Sequence, residues 1–404
     1  MSDPGIRELL DRAVRDVSAP PLAAGAWAEA TRRRNRRRRA AVTSAGIAAS
    51  LAIGVAWFAG PDGVPRRGSV PAGPGPAATS SAPTGPTAST EPTVSSRPTG
   101  PPRVQAGPRA DDVPDLPGLA TEYAALDRVP ARPAALSDRP ARQARLLLQR
   151  PDGPTLLLAD DGSWRTITLP AAAARALGEN TGAGGRISPD GRLVAFPGVD
   201  TVVILDVRTA RARVLPGVEA VAPLQYLTWL PDGRAVVAGG DNGQRLWPLE
   251  GSPRRTELNA ADVVTGGSAP GEVLELGQEL SVTRDGTRVA TRPLQVAGST
   301  TVDAWYGDAF QRGDRIARTA FVDDNAEQAI VVLNAATGAL DALLRLSYEG
   351  RSQGCCATLG WLDGDTVLFR DRDEVLAWRP ATKTVHRVAR VPAEDAVSLA
   401  GPAG

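Results

Sequence analysis

The stretch RISPDGRLVAFPGVDTVVILDV, residues Arg186–Val207, alternates short apolar runs with turn residues and has no helical spacing. In its SPDG element, Pro presets the first turn dihedral, Asp can accept a hydrogen bond from the backbone beyond it, and Gly takes the left-handed position that closes a hairpin. The stretch therefore predicts a strand, a tight turn, a second strand, a turn and a third strand. The fold depends on whether this meander occurs once or repeats.

The Asp-Gly turn recurs along the chain. It occurs as RPDG at 150–153, SPDG at 188–191, LPDG at 230–233, TRDG at 283–286 and LDGD at 362–365. The last interval is about twice the first ones, and a degenerate copy fills it. A period near 40 residues, with about four short strands per unit, is typical of a β-propeller. Residues 116–400 therefore predict an all-β propeller, with six blades preferred because the later units are irregular and seven as the alternative.

Tryptophans support the repeat. The segments LTWLPDGRAVVA and LGWLDGDTVLF align, so Trp229 and Trp361 are expected at equivalent positions. Trp247 and Trp378 each follow a short apolar strand, and Asn242, before a glycine, predicts a hairpin between two strands. A β-sandwich would also contain strands and turns, but it would not repeat this element.

The N-terminal region predicts a membrane anchor. Residues 1–39 form a basic stub with ten arginines and a short amphipathic helix, which is either a frayed tail or a docking element for a partner or membrane surface. Residues 40–61 are 22 consecutive uncharged residues, enough to span a hydrocarbon core of about 30 Å. The preceding arginines favour a cytoplasmic N-terminus and an extracytoplasmic remainder. Cleavage as a signal peptide is disfavoured, because Trp57 would occupy a position that requires a small residue.

A Pro/Ser/Thr-rich segment follows the predicted membrane span. Residues 61–110 contain 12 Pro and 12 Ser or Thr with almost no aliphatic bulk, so residues 62–115 are predicted to be a disordered linker. Residues 40–404 carry 36 basic and 40 acidic side chains. This mildly acidic balance argues against nucleic-acid binding, whose main attraction is to phosphate.

The segment RISPDGRLVAFPGVDTVVILDVRTARARVLPG resembles the SPDG repeat of TolB-like and WD-type propellers. The order of basic stub, single span, Pro/Thr-rich linker and propeller resembles WD-repeat membrane proteins of high-GC bacteria. The resemblance implies a propeller that acts as a scaffold or binding module, and it transfers no catalytic residues. The implied ligand is a protein, peptide or polysaccharide that binds at the propeller loops around the channel mouth.

The residues that could carry catalysis are sparse. His386 is the single histidine, it lies in an alternating strand pattern, and no G-x-S-x-G motif occurs. Asp323, Asn325 and Glu327 alternate as in a calcium loop, but the required glycine is replaced by Gln328. We therefore expect a strand-surface histidine, a polar turn at 323–328, and no catalytic, cofactor-binding or metal-binding residues. The chain is predicted not to be an enzyme.

Cys355 and Cys356 are the only cysteines, and we assign them as a candidate redox pair. Outside the membrane, thiols tend to be oxidised, and these two residues have only each other. Three states are open: buried reduced thiols, a vicinal disulfide, and an intermolecular pairing.

Two alternative functions remain. The topology resembles that of anti-sigma regulators, which would make the propeller a transmembrane sensor that signals through the stub. The segment IVVLNAATGALDALL, residues 330–344, resembles the repeat of pyrroloquinoline-quinone propellers, some of which carry vicinal cysteines. That resemblance implies a quinoprotein-like enzyme, which we treat as a minor alternative.

Overall fold

A computed structural model describes residues 101–151, 153–178, 184–217, 224–240, 243–267, 271–296, 300–351 and 354–400. The predicted stub, membrane span and most of the linker lie outside these residues, as do Asp152 and Asn242. Among the described residues, no helix is long and apolar enough to cross a membrane.

The described residues form 26 strands, one short α-helix and two 3-10 helices. The first strands are β1 (Arg103–Ala106), β2 (Ala134–Ala135), β3 (Ala144–Gln149), β4 (Thr155–Ala159), β5 (Trp164–Ile167), β6 (Arg186–Ile187), β7 (Leu193–Pro197), β8 (Thr201–Asp206) and β9 (Arg211–Pro216). The next are β10 (Tyr226–Trp229), β11 (Ala235–Gly240), β12 (Gly243–Pro248), β13 (Arg254–Arg255), β14 (Val264–Thr265), β15 (Glu272–Leu276), β16 (Glu279–Arg284) and β17 (Thr287–Pro293). The last are β18 (Val302–Arg312), β19 (Arg315–Val322), β20 (Glu327–Asn334), β21 (Leu340–Leu346), β22 (Thr358–Trp361), β23 (Val367–Asp371), β24 (Glu374–Arg379), β25 (Thr384–Arg390) and β26 (Ala396–Leu399). The helices are α1 (Ala171–Leu177) and the 3-10 helices Ala110–Asp115 and Glu122–Arg128.

These strands associate into six sheets, most of them antiparallel meanders of consecutive strands. Written from the innermost strand outward, four of them are β26-β3-β4-β5-β2, β6-β7-β8-β9, β10-β11-β12-β13 and β22-β23-β24-β25. The largest sheet is β18-β19-β20-β21-β1, with β14 on the inner side of β18, and the smallest is β15-β16-β17. The strands β1 and β2 are added in parallel at the outer edges of their sheets.

The two ends of the domain close the ring. The last strand, β26, pairs antiparallel with β3, so one blade contains strands from both ends of the domain. Residues of β6, β10, β14, β18, β22 and β26 line a central cavity. Sheets arranged around a shared channel and closed in this way form a β-propeller, which confirms the predicted all-β propeller fold.

The number of blades differs from the prediction of six, with seven as the alternative. Five sheets have four or more strands and are complete blades, whereas β15-β16-β17 has only three. The adjacent inner strand, β14, has two residues and pairs with β18, and it reaches β15 only through a bridge between Val263 and Glu275. Gly266 and Gly267 follow β14 with φ values of 86° and 70°, which end the extended conformation before a longer ladder can form.

The turn motif is equivalent in three of its five copies. The turns at 188–191, 230–233 and 362–365 each connect a blade's innermost strand to its second strand. In each turn, the Asp Oδ1 accepts the backbone N–H two residues later, at 3.0, 2.9 and 2.8 Å. The other two copies occupy different positions, because RPDG lies between β3 and β4, and TRDG covers the end of β16 and the turn to β17. Asp-Gly suits any tight hairpin, so the motif alone does not identify the position within a blade.

The tryptophan equivalence is confirmed. Trp229 Nε1 donates to the Arg186 carbonyl and Trp361 Nε1 donates to the Phe310 carbonyl, both at 2.9 Å, so each innermost strand is tied to another innermost strand. Trp247 and Trp378 lie on the third strands of their blades and are fully buried. The hydrogen bonds of Trp229 and Trp361 therefore connect the innermost strands of different sheets.

The predicted linker, 62–115, extends too far. Residues 103–115, which we call the N-terminal strap, contain β1 and the first 3-10 helix, and β1 pairs with β21. Val113 is buried in the core between blades, and the Gly107 N–H donates to the Arg345 carbonyl at 2.6 Å. Composition misses this segment because strand addition uses backbone groups and requires few apolar side chains.

Candidate functional site: the upper face and the cysteine loop

The loops lie on two faces of the propeller. We define the upper face as the one at which the innermost strands begin, and the lower face as the opposite one. Because strands alternate in direction, the upper face carries the connections between blades and the turns between second and third strands. The three equivalent Asp-Gly turns lie on the lower face. The cysteines lie on the upper face, immediately before β22.

The central channel is nearly filled. Its walls include Trp229 and Phe310, and an ion pair joins Arg186 to Asp308 at 3.0 Å. The remaining cavity has a volume of about 30 Å³, close to the space of one water molecule. Pockets for small organic ligands and cofactors are typically about 300–1,000 Å³. Recognition of a larger ligand therefore falls to the surface loops in this conformation.

The upper face has an open hollow of about 520 Å³ beside the turn between β23 and β24. Its lining includes Arg372 and Asp373 from that turn and residues 390–394 from the next connection. Arg370 holds this connection from below by donating to the carbonyls of Val391, Pro392 and Asp395. Burial lowers the pKa of Arg370, and nearby carboxylates oppose that shift. The hollow therefore has a rim of mixed charge, and Arg370 fixes the connection that lines one side of it.

The cysteine loop, described at residues 347–351 and 354–357, lies between β21 and β22. Cys355 and Cys356 are joined by a disulfide, so the structure contains the vicinal disulfide among the three states that the sequence left open. The Cys356 side chain is fully buried, whereas Cys355 is partly exposed. The Thr319 hydroxyl donates to the Cys356 carbonyl at 2.7 Å and fixes the backbone of the pair against β19. The redox activity of the pair stays a prediction.

Two buried polar side chains face the disulfide. Gln328, on β20, has its Oε1 3.2 Å from Cys355 Sγ, and its Nε2 has no hydrogen-bond partner among the described residues. Asp371, at the end of β23, has a carboxylate oxygen within 4.8 Å of both sulfurs. Since a disulfide sulfur carries no hydrogen, neither oxygen receives a hydrogen bond from the cysteine pair.

Asp371 connects the disulfide region to the N-terminal strap. Its Oδ2 accepts hydrogen bonds from Arg351 Nε at 2.8 Å and Nη2 at 2.6 Å, and both side chains are completely buried. Arg351 Nη2 also donates to the Pro108 carbonyl at 2.7 Å, and Arg372 donates to the Ala110 carbonyl. One carboxylate therefore faces the cysteine pair and also anchors the guanidinium that holds the strap.

The other candidate residues have structural positions. His386 lies on β25 and is partly buried, which confirms a strand histidine. The segment 323–328 contains the turn between β19 and β20, as predicted, and Arg345 binds both Asp323 and Glu327, at 2.6 and 2.7 Å. The pKa of Asp323 is lowered by the Thr301 N–H and then by Arg345. These carboxylates neutralise a neighbouring arginine.

Sequence reasoning missed Gln328 as a site residue, and it missed Arg351 and Asp371 altogether. In the sequence these three residues are separated by 20 residues or more, and no motif contains them. Asp371 and Gln328 are polar residues beside apolar strand residues, which is the available signal. That signal does not identify the partner across the blade boundary.

No family model matches the sequence, and no curated protein matches it. Among solved structures, the WD40 β-propeller domain of Doa1 is 13% identical with a TM-score of 0.42, and the match covers 65% of this chain and 82% of that chain. TolB from Acinetobacter baumannii is 13% identical with a TM-score of 0.39, over 63% of this chain and 66% of that chain. The β-propeller domain of Cps50 (Swd1) from Myceliophteria thermophila is 18% identical with a TM-score of 0.35, over 50% of this chain and 70% of that chain. Because these TM-scores and identities are low, the fold assignment rests on the sheet topology and not on these matches.

Proposed function

We propose that the protein is a non-enzymatic scaffold that binds a partner protein through the upper face of its propeller. The observation that supports this proposal most is the nearly filled channel, because it leaves the loops and the hollow as the recognition surface. The small channel volume gives no support to the quinoprotein alternative. No cofactor is needed for this function.

Membrane anchoring and an extracytoplasmic position belong to the same proposal. They are supported by the 22 uncharged residues of 40–61 and by the seven arginines in residues 31–39.

We also count β15-β16-β17, together with β14, as an incomplete sixth blade, since β14 contributes to the channel wall like the other innermost strands.

The hollow offers a partner both charge signs. Asp373 and Glu394 are exposed on its rim beside Arg372 and Arg390. Charge complementarity across such a rim contributes to specificity and association rate more than to affinity. A partner protein with alternating charges and a small apolar centre fits this surface, because the exposed residues Pro392 and Ala393 lie between the charged residues.

The test is affinity purification of the full-length chain from in-cell crosslinked membranes. The double variant Asp373→Arg and Glu394→Arg reverses the acidic part of the rim, and Arg234→Glu, on the lower face, is the matched control. We expect the double variant to lose a partner that the wild type and the control retain. Equal recovery by all three chains would contradict binding at the hollow.

A transmembrane sensor is the second candidate, and one observation favours it. Asp371 contacts the cysteine region and binds Arg351, which holds the strap that leads to the predicted linker and span. A change at the upper face therefore has a connected route to the strap, which precedes the propeller and follows the predicted membrane span in sequence. Deletion of residues 1–30 tests this function: loss of a cytoplasmic partner supports the sensor, and an unchanged set of partners contradicts it.

A further inference from the structure

Two hydrogen-bond acceptors, from Gln328 and Asp371, lie beside the cysteine pair, and the disulfide donates no hydrogen bond to either of them. Gln328 Oε1 lies 3.2 Å from Cys355 Sγ, and Asp371 Oδ1 has no hydrogen-bond partner among the described residues, although Arg372 Nε lies 3.8 Å away. Both side chains are completely buried, so bulk water does not compensate them. A buried polar atom that lacks its hydrogen bond opposes the state in which it is unpaired.

Reduction changes this arrangement. Each sulfur gains a hydrogen, and a thiol is a weak donor. We propose that Cys355 and Cys356 form a reducible site whose dithiol form is stabilised by Gln328 and Asp371. Cys355 donates to Gln328 Oε1, and Cys356 donates to Asp371 Oδ1.

The ion pair of Asp371 does not oppose this change. Both hydrogen bonds that Arg351 makes to this carboxylate end on Oδ2, at 2.8 and 2.6 Å, and Oδ1 has no hydrogen-bond partner among the described residues. The carboxylate can therefore accept from a thiol without releasing Arg351 or the strap. In a fully hydrogen-bonded ion pair both carboxylate oxygens would have donors, whereas here only Oδ2 has them.

The exchange begins at the accessible sulfur. A thiolate of a dithiol reductant attacks Cys355 Sγ, the bond to Cys356 Sγ breaks, and Cys356 leaves as a thiolate that takes up a proton. The second thiol of the reductant then attacks the reductant's own sulfur in the mixed disulfide, and Cys355 leaves and is protonated. The protein gains two electrons and two protons, and the reductant loses them as it forms its own disulfide.

The experiment is a redox titration of the full-length chain in dithiothreitol buffers of defined potential, followed by alkylation and intact-mass measurement. The chain has only two cysteines, so the label count reports this pair alone. Gln328→Met keeps the side-chain length and removes the acceptor. We expect it to shift the equilibrium about tenfold towards the disulfide, which is about 30 mV for a two-electron couple.

Gln311→Met is the matched control. Gln311 is also buried, on strand β18 of the same sheet, and its Nε2 donates to the Gly313 carbonyl at 2.9 Å. We expect the wild-type midpoint in this variant. Equal midpoints for Gln328→Met and the wild type, or equal shifts in both variants, would overturn the proposal.

A second measurement requires no substitution. If the folded protein favours the dithiol more than the unfolded chain does, linkage requires the reduced wild type to be the more stable form. A disulfide between adjacent residues closes a minimal loop and restricts the unfolded chain little. We expect the reduced chain to unfold at a higher urea concentration than the oxidised chain. Unfolding of the reduced chain at a lower urea concentration would overturn the proposal.

Discussion

The largest and the smallest sheets use similar antiparallel meanders and differ in what covers them. In the sheet β18-β19-β20-β21-β1, seven of the eight residues of β20 are buried. In the sheet β15-β16-β17, the outer strand β17 is largely exposed, and Val289 is 52% exposed. The strap covers the outer edge of the first sheet through β1, whereas among the described residues β17 pairs only with β16. The sequences reflect this difference in burial. The buried strand β20 contains the apolar run AIVVL, and the exposed strand β17 has the sequence TRVATRP.

The largest expected effect comes from the buried ion pair at the boundary of the large sheet. Asp371→Ala leaves the guanidinium of Arg351 buried without its carboxylate, and we expect a loss of about 3–5 kcal/mol in the free energy of unfolding. Urea denaturation measures it. Asp373→Ala removes an exposed carboxylate two residues away and should change stability by less than about 0.5 kcal/mol. Similar losses in the two variants would show that Arg351 does not depend on Asp371.

The comparison of the two sheets predicts unequal costs for truncating apolar residues. Leu344→Ala, in the fully buried part of β21, should cost about 2–5 kcal/mol, because it leaves a cavity between blades. Val289→Ala, on the exposed strand β17, should change the free energy of unfolding by less than about 0.5 kcal/mol. Thermal and urea unfolding of both variants provide the test. A cost for Val289 equal to that for Leu344 would mean that β17 is covered in solution.

The strap contributes through one side chain in particular. Gln105 Oε1 accepts from Trp378 Nε1 at 3.0 Å, and Gln105 Nε2 donates to the Lys383 carbonyl at 2.9 Å. Gln105→Ala leaves the indole N–H unpaired, and we expect a loss of about 1–3 kcal/mol, together with faster proteolysis at the strap. Gln278→Ala, on an exposed turn of the small sheet, is the control and should resemble the wild type in both measurements.

The smallest effect is a pH dependence in the small sheet. Burial raises the pKa of Glu275 above its ordinary value of 4.5, although the Asn259 N–H opposes the shift. Its contribution to stability is therefore fully present below the pKa of the unfolded chain and is lost as the pH rises through the higher folded pKa. Glu275→Gln should flatten the dependence of unfolding free energy on pH above about 4.5. Parallel pH profiles for the variant and the wild type would contradict this assignment.

The sequence predicts the fold where a residue has one local role. The turn aspartates and the paired tryptophans Trp229 and Trp361 are identifiable because their bonds lie within a few residues or recur with the period. The strap was missed because its pairing is between backbones over 200 residues apart in sequence. The short strand β14 was missed because its length depends on two glycines whose conformation is set by neighbouring sheets.

In the candidate site, too, local features could be predicted from the sequence and long-range contacts could not. The cysteine pair could be identified from the sequence, since adjacent cysteines are conspicuous and the chain has no others. Gln328 and Asp371 could not be assigned to it, because they come from different blades and meet only when the ring closes. Long-range pairs of this kind depend on the register of whole sheets and not on local pattern.

Site-specific photo-crosslinking in cells tests the central claim of upper-face binding most directly. A crosslinking residue is placed at Ala393, which lines the hollow, and for comparison at Arg234 on the lower face. The scaffold function predicts a discrete crosslinked partner protein from position 393 and none from position 234. A partner captured from position 234 alone, or from neither position, would contradict binding through the upper face.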